Sequence, residues 1–194
     1  GKDDIFVGSD YYLIYGLDGA DGTPLFTAYN TSSEVLSVAA VDLDNDGVKD
    51  EVVAVTYNGT LFALNSDGTL SWTYPVGGIG YKVYAEKMWN EKVRIIVGTS
   101  QNITLMFEPD GTLVSNLSSG GEVWDITVIN STGAYGYDTI VVGTWAPTVI
   151  GYKNLTIPAM FDLTSPVNGT ITTNRTPTFT WTETFDIDFL NYTV

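Results

Sequence analysis

Asp50-Glu51-Val52-Val53-Ala54-Val55-Thr56-Tyr57-Asn58-Gly59-Thr60-Leu61-Phe62-Ala63-Leu64-Asn65-Ser66-Asp67-Gly68-Thr69-Leu70-Ser71-Trp72 holds two short apolar runs and a third, more polar one. The breaks between them are Asn-Gly and Asp-Gly-Thr, residues that tolerate the positive φ of tight hairpin turns. The same plan recurs from Asp3 to Phe26 and from Val93 to Ser115, and a fourth copy from Tyr137 to Asn154 stops after its second run. Matching Ser9, Thr56, Thr99 and Thr144 gives spacings of 47, 43 and 45 residues. A further apolar run leads into the repeats: Val35 to Val41 before the second and Val123 to Ile129 before the fourth, 88 residues apart. Tyr81-Lys82-Val83-Tyr84 is the weaker counterpart before the third.

Four short strands repeated at this period predict an all-β protein of β-propeller-type, four-stranded antiparallel blades. About four blades are expected over residues 1–157, the first lacking its leading strand. The segment Asn65 to Trp72, with Leu61-Phe62-Ala63-Leu64 before it, resembles the quinoprotein-type (PQQ-like) propeller repeat. Asp42 to Glu51 followed by Val52-Val53-Ala54-Val55 resembles the FG-GAP/VCBS repeat, which implies an inner strand running into an Asp-rich calcium loop. Near Leu155-Thr156-Ile157-Pro158 the texture changes. Leu163 to Thr170, Thr176 to Trp181 and Asn191 to Val194 resemble the opening of a fibronectin type III or other Ig-like sandwich. Residues 158–194 are therefore read as a truncated second domain. Its three strands cannot close a sandwich alone, which invites completion by another copy of the chain. The chain opens at Gly1 directly into a strand-like segment, and reads as a processed protein or a piece of a longer one.

Composition narrows the function. Of 194 residues, 44% are hydrophobic and 16% charged, a globular balance. The 23 acidic residues against 8 basic ones give a net charge of −15, which repels nucleic acid and anionic membrane surfaces and favours divalent cations. There is no cysteine and no histidine. Disulfides, thiolate nucleophiles, imidazole metal sites and Ser-His-Asp triads are thereby excluded, leaving carboxylate chemistry, for which nothing singles out a pair. No apolar run is long enough to cross a membrane as a helix. Nine of the twelve asparagines stand in Asn-x-Ser/Thr sequons: Asn30, Asn58, Asn102, Asn116, Asn130, Asn154, Asn168, Asn174 and Asn191. Chance would place roughly two or three. The excess predicts a secreted or cell-surface glycoprotein carrying N-linked glycans, a pattern similar to that of archaeal or bacterial surface proteins.

Asp42-Leu43-Asp44-Asn45-Asp46-Gly47-Val48-Lys49-Asp50 is the most specific motif. Asp42, Asp44, Asp46 and Asp50 occupy positions 1, 3, 5 and 9 of a loop whose sixth residue is Gly47. With the Val48 carbonyl, they supply the oxygen-rich, irregular shell that calcium takes. One Ca2+ is expected. A strand rather than a helix follows, and Val53 stands where an EF-hand places its Glu. Glu51 is a further oxygen donor, but a regular strand would turn it away. The corresponding segment from Asn130 to Asp138 has lost all but one carboxylate, so the ion serves one blade.

The aromatics Tyr11, Tyr12, Tyr57, Trp72, Tyr74, Tyr81, Tyr84, Trp89, Trp124 and Trp145 offer material for a sugar-binding face. Trp72 and Trp124, which recur at strand positions, are assigned to packing between blades. Trp89 and Trp145 fall in expected loops and are the ligand-binding candidates. Asp18, Asp21 and Asp67 are explained by turn chemistry. The leading expectation is a non-catalytic structural or adhesive segment, such as a surface-layer, stalk or filament component, whose partners are glycans, further copies of itself, or surface polysaccharide or protein. The alternative is an accessory carbohydrate-binding propeller domain of a secreted polysaccharide-degrading enzyme. A quinoprotein dehydrogenase would need a quinone pocket that repeats alone do not supply.

Overall fold

The computed structural model of the chain describes residues 3–88, 92–130, 138–146, 149–153, 163–165 and 180–181, with backbone only at 130, 153, 163–165 and 180–181. All regular structure among them is β, and no helix is long and apolar enough to cross a membrane. Packing divides the chain into two compact units, residues 1–152 and 153–194.

The first unit holds a series of antiparallel sheets in strict sequence order. β1 (Ile5–Gly8), β2 (Leu13–Leu17) and β3 (Tyr29–Asn30) make the first. β4 (Val35–Val41), β5 (Glu51–Thr56), β6 (Thr60–Leu64) and β7 (Leu70–Pro75) make the second. β8 (Gly80–Lys87), β9 (Val93–Thr99), β10 (Ile103–Phe107) and β11 (Leu113–Ser118) make the third. β12 (Val123–Asn130), β13 (Asp138–Thr144) and β14 (Val149–Lys153) make the fourth. Each is a propeller blade: a meander running outward from an inner strand, with β4 packed on β8 and β8 on β12. The first blade lacks the inner strand among its described residues.

The blades stack face to face, which explains why the middle strands read as unbroken apolar runs. β5 and β9 are buried from end to end. Val53 and Val55 pack toward the third blade with Val83, Ile95 and Val97, while Val52 and Ala54, together with Val35 of β4, pack toward Ile14 of the first. Ile96 turns the other way again, joining Met106, Val123, Ile126, Ile140 and Val142 between the third and fourth blades. Alternation therefore sorts each strand's side chains between two interfaces rather than between core and water.

At one end of these interfaces, a glycine on one blade meets a valine on the next. A Cβ on Gly8 would stand 2.4 Å from Val35 Cγ1, one on Gly80 2.7 Å from Val55 Cβ, and one on Gly98 2.4 Å from Val123 Cγ1. The small partner lies on the earlier blade in the first and third pairs and on the later blade in the second. The equivalent Gly143 has only the Asp125 carbonyl oxygen within 4.0 Å of its Cβ position.

The outer turns are also shared. Gly22, Gly68 and Gly111 take positive φ at the Asp-Gly-Thr corners. Gly68 of the second blade receives the Phe26 ring, and Gly111 of the third receives the Trp72 indole, whose Nε1 donates to the Pro109 carbonyl at 2.8 Å. Trp72 therefore packs between blades as expected. In the first blade the third strand is displaced. Pro24 follows the turn and has no N–H to continue a ladder, so only a Leu17–Pro24 bridge forms and pairing resumes at Tyr29–Asn30.

In the second unit β15 (Leu163–Ser165) and β16 (Thr180–Trp181) pair antiparallel, with Leu163 opposite Trp181. The remaining strands expected of an Ig-like sandwich lie outside the described residues, as do Trp89, Asn154, Asn168, Asn174 and Asn191.

Candidate metal centre and aromatic cluster

The Asp42–Asp50 loop joins β4 to β5 at the inner edge of the second blade. Its backbone is shaped by its own carboxylates. Asp42 Oδ1 and Asp44 Oδ1 both accept from the Asp46 amide at 3.1 Å, Asp42 Oδ2 accepts from Gly47 N at 3.1 Å, and Asp46 Oδ1 accepts from Val48 N at 2.8 Å. Asn45 and Gly47 take φ of 63° and 94°, the left-handed conformations that wrap the turn.

Glu51 enters the loop instead of turning away. It is 4% exposed, and its Oε2 accepts from the Leu43 amide at 2.8 Å. Carboxylate oxygens of Asp42, Asp44 and Glu51 lie within 4.8 Å of one another. Asp50 Oδ1 is buried without a hydrogen-bond partner. Burial, opposed by the Leu43 hydrogen bond and reinforced by Asp50 and Asp44, pushes Glu51 up to about 7. Three converging acids, with an unsatisfied buried oxygen on the neighbouring Asp50, form an all-oxygen donor set that fits a hard divalent cation. Asp46 uses one oxygen as a turn cap, and Val48, half exposed, sits on the outer side of the loop. The third blade provides a comparison. Arg94 occupies the Glu51 position there, and its guanidinium meets Glu108, just past β10, at 2.6 Å, a built-in cation in place of converging acids. Lys49 Nζ reaches Glu86 of β8 at 3.0 Å and ties this loop to the inner strand of the third blade.

The opposite end of the inner strands carries an aromatic cluster. Trp124 is 48% exposed, not buried between blades, because it sits at an irregularity: β12 shifts register on β13 between Val123 and Asp125, which leaves Trp124 without a cross-strand partner. Its ring stacks on Tyr81 at 4.6 Å and 18°, and approaches Trp145 at 5.3 Å and 35°. Trp145 follows β13 and is 76% exposed. Its amide donates to the Glu122 carbonyl at 2.9 Å, fixing the hairpin to the start of β12. Gly121 makes this approach possible, since a Cβ there would meet Ala146 and Thr144 at 3.1 to 3.3 Å. Tyr81 Oη donates to Glu122 Oε2 at 3.2 Å, and Lys82 Nζ pairs with Asp125 Oδ1 at 3.0 Å. Burial, then the Glu122 carboxylate, then the nearby Tyr57 push the Tyr81 phenol above its ordinary value. Sequence reasoning singled out Trp145 but assigned Trp124 to packing. The missed signal is the extra residue that the inner strand carries at this point.

Among the sequons with described side chains, Asn30, Asn58, Asn102 and Asn116 are exposed. Asn58 Oδ1 accepts from Thr56 Oγ1 at 2.7 Å, and Asn102 takes a φ of 60° at a hairpin corner.

Sheets of this order and packing define a β-propeller. Residues 5–131 match the family described as the lambda-carrageenase beta-propeller domain. The chain belongs to that family. Solved structures agree on the fold: BBS1N in complex with ARL6DN, soaked with mercury, superposes with a TM-score of 0.60 at 15% identity over 79% of this chain and 48% of that one. The lead-soaked crystal of the same complex gives 0.58 at 16% identity over 77% and 46%. The chain thus spans about half the length of the solved structures it matches. Nothing matches among curated proteins.

Proposed function

We propose that residues 3–152 form a calcium-braced, non-catalytic propeller module of a secreted or cell-surface protein that works on polysaccharide, with catalysis supplied outside this segment. Family membership over residues 5–131 carries this reading, because the family takes its name from a polysaccharide-degrading enzyme. The exposed sequons and the absence of cysteine and histidine are consistent with an extracellular, accessory role. In this reading Asp42, Asp44 and Glu51, with Asp50 behind them, hold the ion, and the Asp46 carboxylate and Val48 carbonyl complete the loop. The ion's chemistry is structural: it neutralises acids that otherwise repel and fixes β4 against β5. The loop is the feature shared with FG-GAP/VCBS repeats, and the Asp-Gly-Thr corner leading to Trp72 is shared with PQQ-like repeats. Residues 158–194 would supply an Ig-like connection.

Affinity electrophoresis of the whole chain through gels containing neutral or sulfated galactans tests the polysaccharide role. Retardation by one of them is the expected result, and unchanged mobility in every polysaccharide would count against it. Assembly into fibres without any sugar would instead restore the structural reading as stalk, surface-layer or filament component.

A further inference from the structure

The inner strands of the second, third and fourth blades share one irregularity. β4 shifts register between Val35 and Ser37, β8 between Gly80 and Lys82, and β12 between Val123 and Asp125. The extra residue is Leu36, Tyr81 and Trp124 in turn. Beside each lies the first residue of the following hairpin, held by one repeated backbone hydrogen bond: Tyr57 N to Glu34 O at 2.9 Å, Ser100 N to Ile79 O at 3.0 Å, and Trp145 N to Glu122 O at 2.9 Å. The fold thus presents a pair of side chains from each of these three blades at the same end of the sheets. A bulge of this kind re-aims a side chain without disturbing the strand behind it.

What differs between blades is the chemistry placed there. From the third blade to the fourth, Tyr81, Trp124 and Trp145 form a continuous run of rings, with Tyr57 beside Tyr81. Trp145 is largely and Trp124 about half open to water. Flanking the rings are a carboxylate, Glu122, and an ion pair, Lys82 with Asp125. Flat indoles bordered by a few fixed hydrogen-bonding groups match a pyranose ring, which has an apolar face of C–H groups and a rim of hydroxyls. The charge of the patch sets a further condition. Its cation, Lys82, is already neutralised by Asp125, Glu122 adds a negative charge, and the whole chain carries −15. A sulfate ester brought here would be repelled.

We propose that Trp145 and Trp124, buttressed by Tyr81, form a binding platform for uncharged pyranose units of a polysaccharide, and that the platform discriminates against sulfated ones. This rests on the polysaccharide reading above, but assigns it to particular residues and to a ligand charge. Calorimetric titration of the whole chain with neutral galactan oligosaccharides, and with sulfated galactan oligosaccharides of equal length, is the test. Neutral oligosaccharides bind the natural chain. Trp145→Ala and Trp124→Ala each weaken that binding by about tenfold, Trp145→Phe largely preserves it, and Glu122→Gln raises affinity for the sulfated series. Trp145 is so exposed that its replacement leaves the melting temperature unchanged, which keeps the result independent of folding. Undiminished binding by both alanine variants, or tighter binding of the sulfated series to the natural chain, overturns the platform while leaving the polysaccharide reading intact. Binding of neither series, together with unchanged mobility in every polysaccharide gel, overturns both.

Discussion

Glu51 shows how one residue can be read correctly as an acid and still be misplaced by pattern. Strand alternation turns it outward, yet its carboxylate folds back onto the Leu43 amide and joins Asp42 and Asp44. The acidic spacing of Asp42, Asp44, Asp46 and Asp50 is legible in sequence, and the structure brings Asp42 and Asp44 of these together. Glu51's part was not, because it depends on where the strand begins. Glu51→Gln or Asp42→Asn is expected to abolish the rise in melting temperature that calcium gives the natural chain. At a hundred times its dissociation constant, the ion contributes about 2.7 kcal/mol. Calorimetric melts with calcium and with EDTA check this, and identical melts for the natural chain would remove the ion from the account. The corner residues Asp21, Asp67 and Asp110 make a separate prediction. Each accepts from a Thr two residues on, and hydrogen bonds from Thr23, Thr69 and Thr112 hold these exposed carboxyls below the ordinary carboxylate value. A depressed folded value means that the unfolded chain takes up the proton first as pH falls. Their contribution is therefore complete above about pH 4 and lost as pH drops through the folded values. Carboxyl carbon NMR should show three midpoints below about 3.9, with that of Asp67 returning toward it in Thr69→Val.

The strands and turns were largely visible in the sequence, since Gly and Asp corners punctuate apolar runs at a steady period. Two departures escaped the strand pattern. Pro24 interrupts the third strand of the first blade, and the added residue in β12 turns Trp124 into solvent, where strand periodicity had placed it inside. The glycine–valine pairs were equally silent, because each partner is unremarkable until its neighbour is known. They give the most direct test of blade packing. Gly98→Val should destabilise the chain by about 1–3 kcal/mol through overpacking against Val123. Adding Val123→Gly should recover most of that loss, because the double variant reproduces the arrangement of Val55 with Gly80. Urea melts of the two single variants and the double variant decide it, and additive losses would contradict the pairing.

At the scale of the whole molecule, the inner strands carry different chemistry at their two ends: clustered acids at one, aromatic rings at the other. The blades keep one backbone plan while differing in what they place at those ends. Where the second blade gathers acids, the third places the Arg94–Glu108 ion pair at the equivalent position of its second strand. Chelation should therefore lower hydrogen-exchange protection in β4 and β5 while leaving β9 and β10 nearly unchanged. Uniform loss across all four strands would show that the blades melt as a single unit.

The alternating glycine and valine also govern how such a chain can change by duplication or deletion. Copying the second blade alone would set Val55 against a second Val35, and copying the third alone would set Gly98 against a second Gly80, one a collision and the other a void. Copied or lost together, the second and third blades leave every junction matched. The fourth blade begins with Val123 and presents Gly143, so it can be repeated singly. The presence or absence of one isopropyl group thus acts as a grammar for blade order, imposed on repeats whose backbones are otherwise interchangeable.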